Sequence, residues 1–463
     1  MKLVLTILKW LIGGTLGFVA IIGLCWWLLP DQALDPKVEQ LLVASKTPHP
    51  AKSAFFAIWG FPASPELDAR DVGQRIAAAH DQALSADKNL SKFKLESFYG
   101  ENPLSLPRHG KRMCDFKKEP CLALYQSKQA EIEAQSEAHK VYLARYRSLR
   151  EAGFSGTMFA EVDLRSPTPA WGQIGCIGEL VDGSIALRLK STVTQQVALE
   201  ELLAEIDFWR GIVQSNDGLL TQMVAVNALA SKYRLTSEIL NAYPEIFKTQ
   251  PKLMAEITMP LPVAKTSVVT SFTGEARYMV NAMQREFVEV SSGGSFMASL
   301  DTAPWYWTVF VGGYRTKATQ NEAYRRYSAV FQFLEKSPKD VLAGYKANEE
   351  QLRNASQFSP LHIFYNPLGR VVNAAAHTSY AEYAFRINDL IGLSRLLDLQ
   401  RRALEAGVAP EKMPDFLSAA EPSLMDVYTE KPMQWDAATL RITFAGHSAR
   451  KVEYSYVQIA TRK

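Results

Sequence analysis

The run from Trp10 to Leu29 carries no charged residue, and it constrains this chain more than any other feature. At about 1.5 Å per residue such a helix spans roughly 30 Å, the hydrocarbon thickness of a bilayer. Lys2 and Lys9 precede the run, and Asp31 and Asp35 follow it at once. By the positive-inside rule this asymmetry keeps residues 1–9 in the cytoplasm and exports the rest. Trp10 at one end, and Trp26 with Trp27 at the other, stand where an interfacial aromatic belt belongs. A cleaved signal peptide is the rival reading. Its apolar region is about 7–15 residues long and ends at a small-x-small site. This run is longer, and Trp26-Trp27-Leu28-Leu29-Pro30 offers no such site. Cys25 does not suit a lipoprotein either, because bulky Leu24 precedes it. The expectation is a retained anchor over 10–29 with the lipid bilayer as its partner. Gly13 and Gly17 form a GxxxG pair, open to two readings: close packing of two anchors, or glycines that pack against nothing.

The chain has 463 residues, 47% apolar and 21% charged, enough to bury a core without staples. A net charge of +3 gives no reason to expect a nucleic-acid partner. Beyond the anchor lie Cys114, Cys121 and Cys176. In an oxidising compartment Cys114 and Cys121 are the candidate disulfide, and closing so short a loop contributes about 2–3 kcal/mol on the chain-entropy model. Cys176, in the apolar stretch Ile174-Gly175-Cys176-Ile177, reads as a buried inert thiol. No CxxC, HxxxH or CxxCH spacing occurs, so neither a metal site nor covalent haem is indicated, and no cofactor is expected.

The pattern predicts a mainly α fold: the transmembrane helix, a body of helical hairpins and a small C-terminal antiparallel β element. Residues 30–65, with Pro48, Pro50, Pro62 and Pro65, read as a proline-rich stalk or lead-in. Within it, Ala54 to Phe61 reads as a strand packed on the body. A helical domain is expected over 66–260, and a second, mainly helical region over 261–463 ending in a β-hairpin. Within the first, 66–88 reads as a helix and Leu122–Glu151 as one long helix. Residues 171–190 are ambiguous between helices and a hairpin at Asp182-Gly183, with helices favoured. Helices carrying Leu199, Leu202 and Ile206, then Met223, Val226 and Leu229, are followed by a third that starts after Thr236. Further on, a helix is predicted at about 275–290 and a flexible joint at Ser291–Ser295. Thr319–Glu322 reads as a capping box, and Ser337-Pro338 as a second helix start. The longest helix is predicted from Arg370 to Ala406, and strands over Leu440–Phe444 and Val452–Ile459.

Two local resemblances add to this. Ile206-Asp207-Phe208-Trp209-Arg210 with Met223–Leu229, and Cys114…Cys121-Leu122-Ala123 with Tyr142–Tyr146, resemble uncharacterised membrane-anchored envelope proteins of proteobacteria. That likeness covers about a quarter of the chain and implies a bacterial origin and an envelope location; with the charge asymmetry of the anchor, the expected address is a bacterial inner membrane with the bulk of the chain in the periplasm. The likeness implies no activity. The long helix followed by Asp426-Val427-Tyr428-Thr429-Glu430-Lys431-Pro432 resembles the "DPYTGKP" element of pseudopilin-like proteins. There a long helix leads into a small antiparallel sheet. This chain departs from the element at Val427, where proline is usual, and at Glu430, where glycine is usual.

Motifs for chemistry are missing. There is no GxSxG elbow, P-loop or GxGxxG. Gly293-Gly294-Ser295 and Gly446-His447-Ser448 read as loops, and Gly172…Gly175…Gly178 as small-residue helix packing. Glu161, Asp163 and Asp301 read as solvated carboxylates, and His377 as a helix-surface histidine near Glu382. Trp305-Tyr306-Trp307 is the most distinctive local feature, read either as a strand feeding a core or as a candidate binding surface. Three functions follow: a non-enzymatic envelope scaffold with envelope protein partners, an envelope hydrolase acting on cell-wall or glycan material, or an accessory factor of a secretion or pilus machine.

Overall fold

The computed structural model describes residues 2–43, 54–87, 93–104, 113–116, 118–152, 166–215, 218–291, 313–355, 357, 359–375, 380–449 and 454–459. Helix α1 (Lys2–Leu28) contains a segment, Lys9–Leu28, that is long and apolar enough to cross a membrane, and almost none of it is buried. Next come α2 (Pro36–Val43), α3 (Ala54–Trp59) and α4 (Ala69–Asp87). The centre of the body is α5 (Cys121–Ser127), α6 (Gln129–Ala138), α7 (Lys140–Ala152), α8 (Trp171–Arg188), α9 (Thr192–Val213) and α10 (Leu219–Ala242). Two short helices, α11 (Ile246–Thr249) and α12 (Pro251–Ile257), precede α13 (Val268–Ser291). Then come α14 (Thr316–Leu334), α15 (Pro338–Ala355), α16 (Pro367–Ala375), α17 (Ala381–Glu405) and α18 (Met413–Ser418).

One hydrophobic core runs through both halves of the sequence. It joins Leu202 and Ile206 of α9, Val226 and Tyr233 of α10, and Leu390 and Leu397 of α17. The boundary expected near residue 260 therefore does not separate two cores. Helix α10 lies at the centre, packed on α9 and α17.

Several expected elements differ for physical reasons. Ala54–Trp59 is a helix, not a strand, with every residue buried. A short apolar run looks the same in either state, because burial on all sides erases the period. Gly60 and Gly73 let α3 and α4 cross in backbone contact: a Cβ on Gly73 would overlap the Phe56 carbonyl. The single helix expected over 122–151 is α5, α6 and α7, broken at Lys128 and His139. Those breaks let each piece pack on α8, with Ile132 of α6 seated on Gly183. No helix starts at Thr236. Its hydroxyl donates to the Lys232 carbonyl (2.8 Å) inside α10. Thr319 is likewise internal to α14 and donates to the Arg315 carbonyl (2.7 Å). Ser337 does open α15, exchanging hydrogen bonds with Asp340. The helix expected from Arg370 to Ala406 is α16 and α17, and α17 stops at Gly407, whose φ of +63° suits glycine. The Ser292–Ser295 part of the expected joint lies outside the described residues.

The C-terminal β element is a three-stranded antiparallel sheet, not a two-stranded hairpin: β1 (Gln434–Asp436), β2 (Arg441–Thr443) and β3 (Tyr456–Gln458), in that order. Trp435 pairs with Ile442, and Ile442 with Val457. The extra strand follows a tight loop closed by Asp426 N–H to the Lys431 carbonyl (2.8 Å) and Glu430 N–H to the Asp426 carbonyl (2.9 Å). Within it Glu430 is left-handed, φ +57°.

The lead-in is docked along its described first part. Val38 of α2 is fully buried against Val280, Met283 and Ala323 of α13 and α14. The Arg277 guanidinium donates to the Leu41 carbonyl (3.0 Å).

Two substitutions should move stability in opposite directions. Gly73→Ala should cost about 1–3 kcal/mol by overpacking the α3–α4 crossing. Glu430→Gly should raise stability by about 1 kcal/mol by relieving the left-handed backbone, since its exposed pairing with Lys339 contributes little. Thermal unfolding of the detergent-solubilised protein checks both; equal midpoints for the two variants would contradict them.

Candidate functional site

The structure joins Cys114 and Cys121 by a disulfide, with Cα atoms 5.6 Å apart. Trp305, Tyr306 and Trp307 lie outside the described residues, as do Glu161, Asp163, Asp301 and His377. Gly446-His447-Ser448 is held by a buried carboxylate. Asp389, fully buried in α17, accepts from the His447 and Ser448 amides (3.1 and 3.0 Å), the Ser448 hydroxyl (2.6 Å) and the Tyr428 hydroxyl (2.6 Å). A serine hydroxyl donating to a carboxylate that carries three other donors is a pin, not a nucleophile. Glu382 accepts from the Ala449 amide (3.0 Å) and extends that pin.

The residues that do converge are on α7, α8, α9 and α10, around a cavity of about 350 Å³. Helix α8 offers it Gly172, Gly175 and Gly178. Around Gly172 and Gly175 an added Cβ would meet nothing within 4 Å, so these glycines open space and do not bring helices together. Ile174 and Ile177 take the core face. Cys176 is half-buried on the cavity wall, not in the core. The Trp171 and Trp209 rings, 6.5 Å apart, form a second wall. Cys114 and Phe116 lie on another side, and Asn227, Ala228 and Ser231 face them from α10.

The floor is a buried charge cluster. The Lys232 ammonium donates to Asp182 (2.5 Å) and to the Gly178 carbonyl (3.3 Å), and pairs with Glu205 (3.3 Å). Glu205 also accepts from the Tyr146 hydroxyl (2.7 Å) and the Arg150 guanidinium (3.0 Å). Glu201, one turn before Glu205, pairs with Arg147 (3.0 Å), Arg150 (3.5 Å) and Arg188. Helical spacing assembles this, since residues four apart share a face: Tyr146 with Arg150, Gly178 with Asp182, Glu201 with Glu205.

Burial pushes the Asp182 carboxyl up to about 7, with Lys232 pulling it down and Glu205 adding to the rise. Burial alone would lower the Lys232 ammonium, but Asp182 and Glu205 together hold it above its ordinary value. Burial also raises the Tyr146 hydroxyl, helped by Glu205. Lys232 thus stays a cation with its donors committed, which suits structure and not nucleophilic attack. Indole rings beside a buried charge cluster give this cavity both apolar and polar walls. Among the described residues the Trp171 indole N–H has no hydrogen-bond partner, and no group of three or more His, Cys, Asp or Glu side chains could hold a metal. A second, more open cavity of about 510 Å³ lies between α14 and α15, lined by Arg325, Arg326, Lys336, Arg370 and Glu322.

Of the cavity lining, the sequence singled out the glycine triplet and Cys176, both assigned to packing, and Cys114 as a disulfide partner, with Tyr146 and Trp209 entering only through the local resemblance. Asp182, Glu205 and Lys232 stand on three separate helices, and no local pattern marks them as one cluster.

Lys232→Met should destabilise by about 3–5 kcal/mol, because two buried carboxylates lose their cation. The pH dependence has a defined sign. The raised Asp182 carboxyl lets the folded state hold an extra proton between its unfolded value near 4 and about 7. Stability should therefore fall as pH rises through that window. Asp182→Asn should flatten the fall, and urea unfolding across pH 4–8 measures it; an unchanged slope would contradict the assignment.

No protein-family model matches the chain, and no curated protein or solved structure matches it either.

Proposed function

We propose that this chain is a single-pass protein of a bacterial inner membrane, with its amino terminus in the cytoplasm, that acts in the periplasm as a scaffold or interaction protein. The observation that carries the reading is the junction between anchor and body. Arg315 donates to the carbonyls of Trp26 and Leu29 (3.1 Å to Leu29), and the Trp26 indole donates to the Ile363 carbonyl (2.8 Å). Asp31 accepts from the amides of Lys317 (2.9 Å) and Ala318 (3.0 Å). The Asp35 amide donates to Asn321, which donates back to the Ala33 carbonyl (both 2.8 Å). A tether that only keeps an enzyme near a membrane needs no more than a flexible linker. A clamp that sets the attitude of the body is what a scaffold requires.

Other features support the same address. The charges flanking α1 obey the positive-inside rule. A Cys114–Cys121 bridge suits an oxidising compartment. The likeness to uncharacterised proteobacterial envelope proteins points there too. Against hydrolysis, the two carboxylates lining the cavity are already engaged, Asp182 by Lys232 and Glu179 by the Met113 amide (3.0 Å), whereas a glycosidase needs two carboxyl groups free for separate roles.

One observation favours a second reading, service to a secretion or pilus machine. Glu430 departs in identity from the glycine usual in the pseudopilin-like element, yet keeps the left-handed backbone glycine favours. Long α17 also packs on the small sheet.

Reporters fused after Lys463 test the address. Alkaline phosphatase should be active and a cytoplasm-dependent fluorescent protein dark; the reverse pattern would overturn the reading. Photo-crosslinkers at exposed body positions, Val193 and Val197 of α9, should give a discrete adduct in living cells. A chain recovered uncrosslinked from every exposed position would contradict the scaffold role.

A further inference from the structure

We infer that the segment Ser359–Val371 is a second membrane contact: an apolar wedge that sits beside the anchor in the periplasmic leaflet, with lipid acyl chains as its partner. The inference rests on reading α1 as a membrane anchor and goes beyond it, because it places part of the folded body below the bilayer surface.

Depth is the first ground. The Phe364 ring meets the Phe18 ring edge-on, with centroids 6.0 Å apart. Phe18 lies well inside the apolar segment Lys9–Leu28, about 15 Å before its carboxyl end at the rise of an α-helix. The 3₁₀ turn Pro360–Phe364 packs along α1 at this level. If Lys9–Leu28 crosses the hydrocarbon, whatever packs beside Phe18 lies in hydrocarbon too.

The second ground is the surface the segment presents. Leu361 is 73% exposed and Val371 54% exposed. Leu361 belongs to the turn that packs along α1, where Phe18, Ile21 and Leu24 are also exposed. Two polar side chains of the segment, Arg370 and Asn366, pair with the body. Arg370 pairs with Glu322 of α14. The Asn366 side chain accepts from the Arg315 amide (3.0 Å) and donates to the Thr319 hydroxyl (3.0 Å). Apolar residues outward and polar residues inward is the arrangement of an interfacial element.

The third ground is backbone pairing, since irregular backbone is tolerated at membrane depth only when its polar groups are satisfied within the protein. The Ser359 amide donates to His362 Nδ1 (3.0 Å), and the Leu361 amide to the Ser359 hydroxyl (3.4 Å). The His362 amide donates to the Ser359 carbonyl (2.8 Å), and the Tyr365 amide to the His362 carbonyl (3.2 Å). The Ile363 carbonyl takes the Trp26 indole. A histidine, ordinarily a residue for water, is thus the internal cap of the turn.

The test uses the full chain carrying Cys25→Ser and Cys176→Ser, with the Cys114–Cys121 bridge intact. A polarity-sensitive fluorophore is placed on Leu361→Cys or, in a second variant, on Val371→Cys; both sites are exposed. Leu16→Cys in the anchor and Val193→Cys on α9 are the comparators, and the protein is reconstituted in phosphatidylcholine–phosphatidylglycerol vesicles. Doxyl-labelled lipids should quench labels at 361, 371 and 16 several-fold more than the label at 193, and aqueous iodide should show the opposite order. A 361 label that follows 193 while 16 follows lipid overturns the wedge and leaves the anchor standing. Iodide access at 16 as well overturns both. Shielding of 361 from both quenchers that grows with protein-to-lipid ratio assigns the surface to a second copy and also overturns the wedge.

Discussion

Asp31 and Arg315 govern how the rest of this structure is presented. The first turn of α14 has amides with no partner inside the helix, as every helix start does. Asp31, 286 positions from Lys317 in the chain, supplies the acceptor and places a negative charge at the positive end of the helix. Arg315, immediately before that helix, reaches back to the last carbonyls of α1 and its exit. Each end of the junction therefore satisfies polar groups that the other leaves open. With Gly313 beneath it, the Trp26 ring lies where an added Cβ would come within 2.7 Å. These contacts tie the apolar helix α1 and the helical body into one unit.

The body has a different internal logic. Its core is continuous from α9 through α10 to α17, so nothing folds around the charge cluster alone. Lys232, Asp182 and Glu205 lie within that packing, and such clusters give modest net stability while penalising the loss of any one member. The cavity above them is open where α8 carries Gly172 and Gly175, positions that larger residues would fill. Rings, glycines and paired charges thus meet at one place because α8, α9 and α10 pack there.

Much of the fold was legible in the sequence, and the misses share a cause. The apolar run of α1, the helical periods of α9 and α10, the Ser337 start and the Gly407 stop are local signals. Ala54–Trp59 was misread because complete burial removes periodicity. The Thr319–Glu322 pattern matched a capping box, yet the true cap is Asp31, which no local window contains. The breaks at Lys128 and His139 carry neither proline nor glycine and come from wrapping around α8. The cavity site was illegible for a related reason. A lysine and two acids on three separate helices look like solvated faces until packing brings them together.

Helix α1 and the body should move as one through the Asp31–Arg315 junction. The most direct measurement is the distance distribution between spin labels at Leu16→Cys and Val193→Cys in vesicles, by pulsed electron resonance. A single narrow distribution is predicted, broadening when Asp31→Ala and Arg315→Ala are combined. A distribution already as broad as a flexible linker allows in the otherwise unaltered protein would contradict the account.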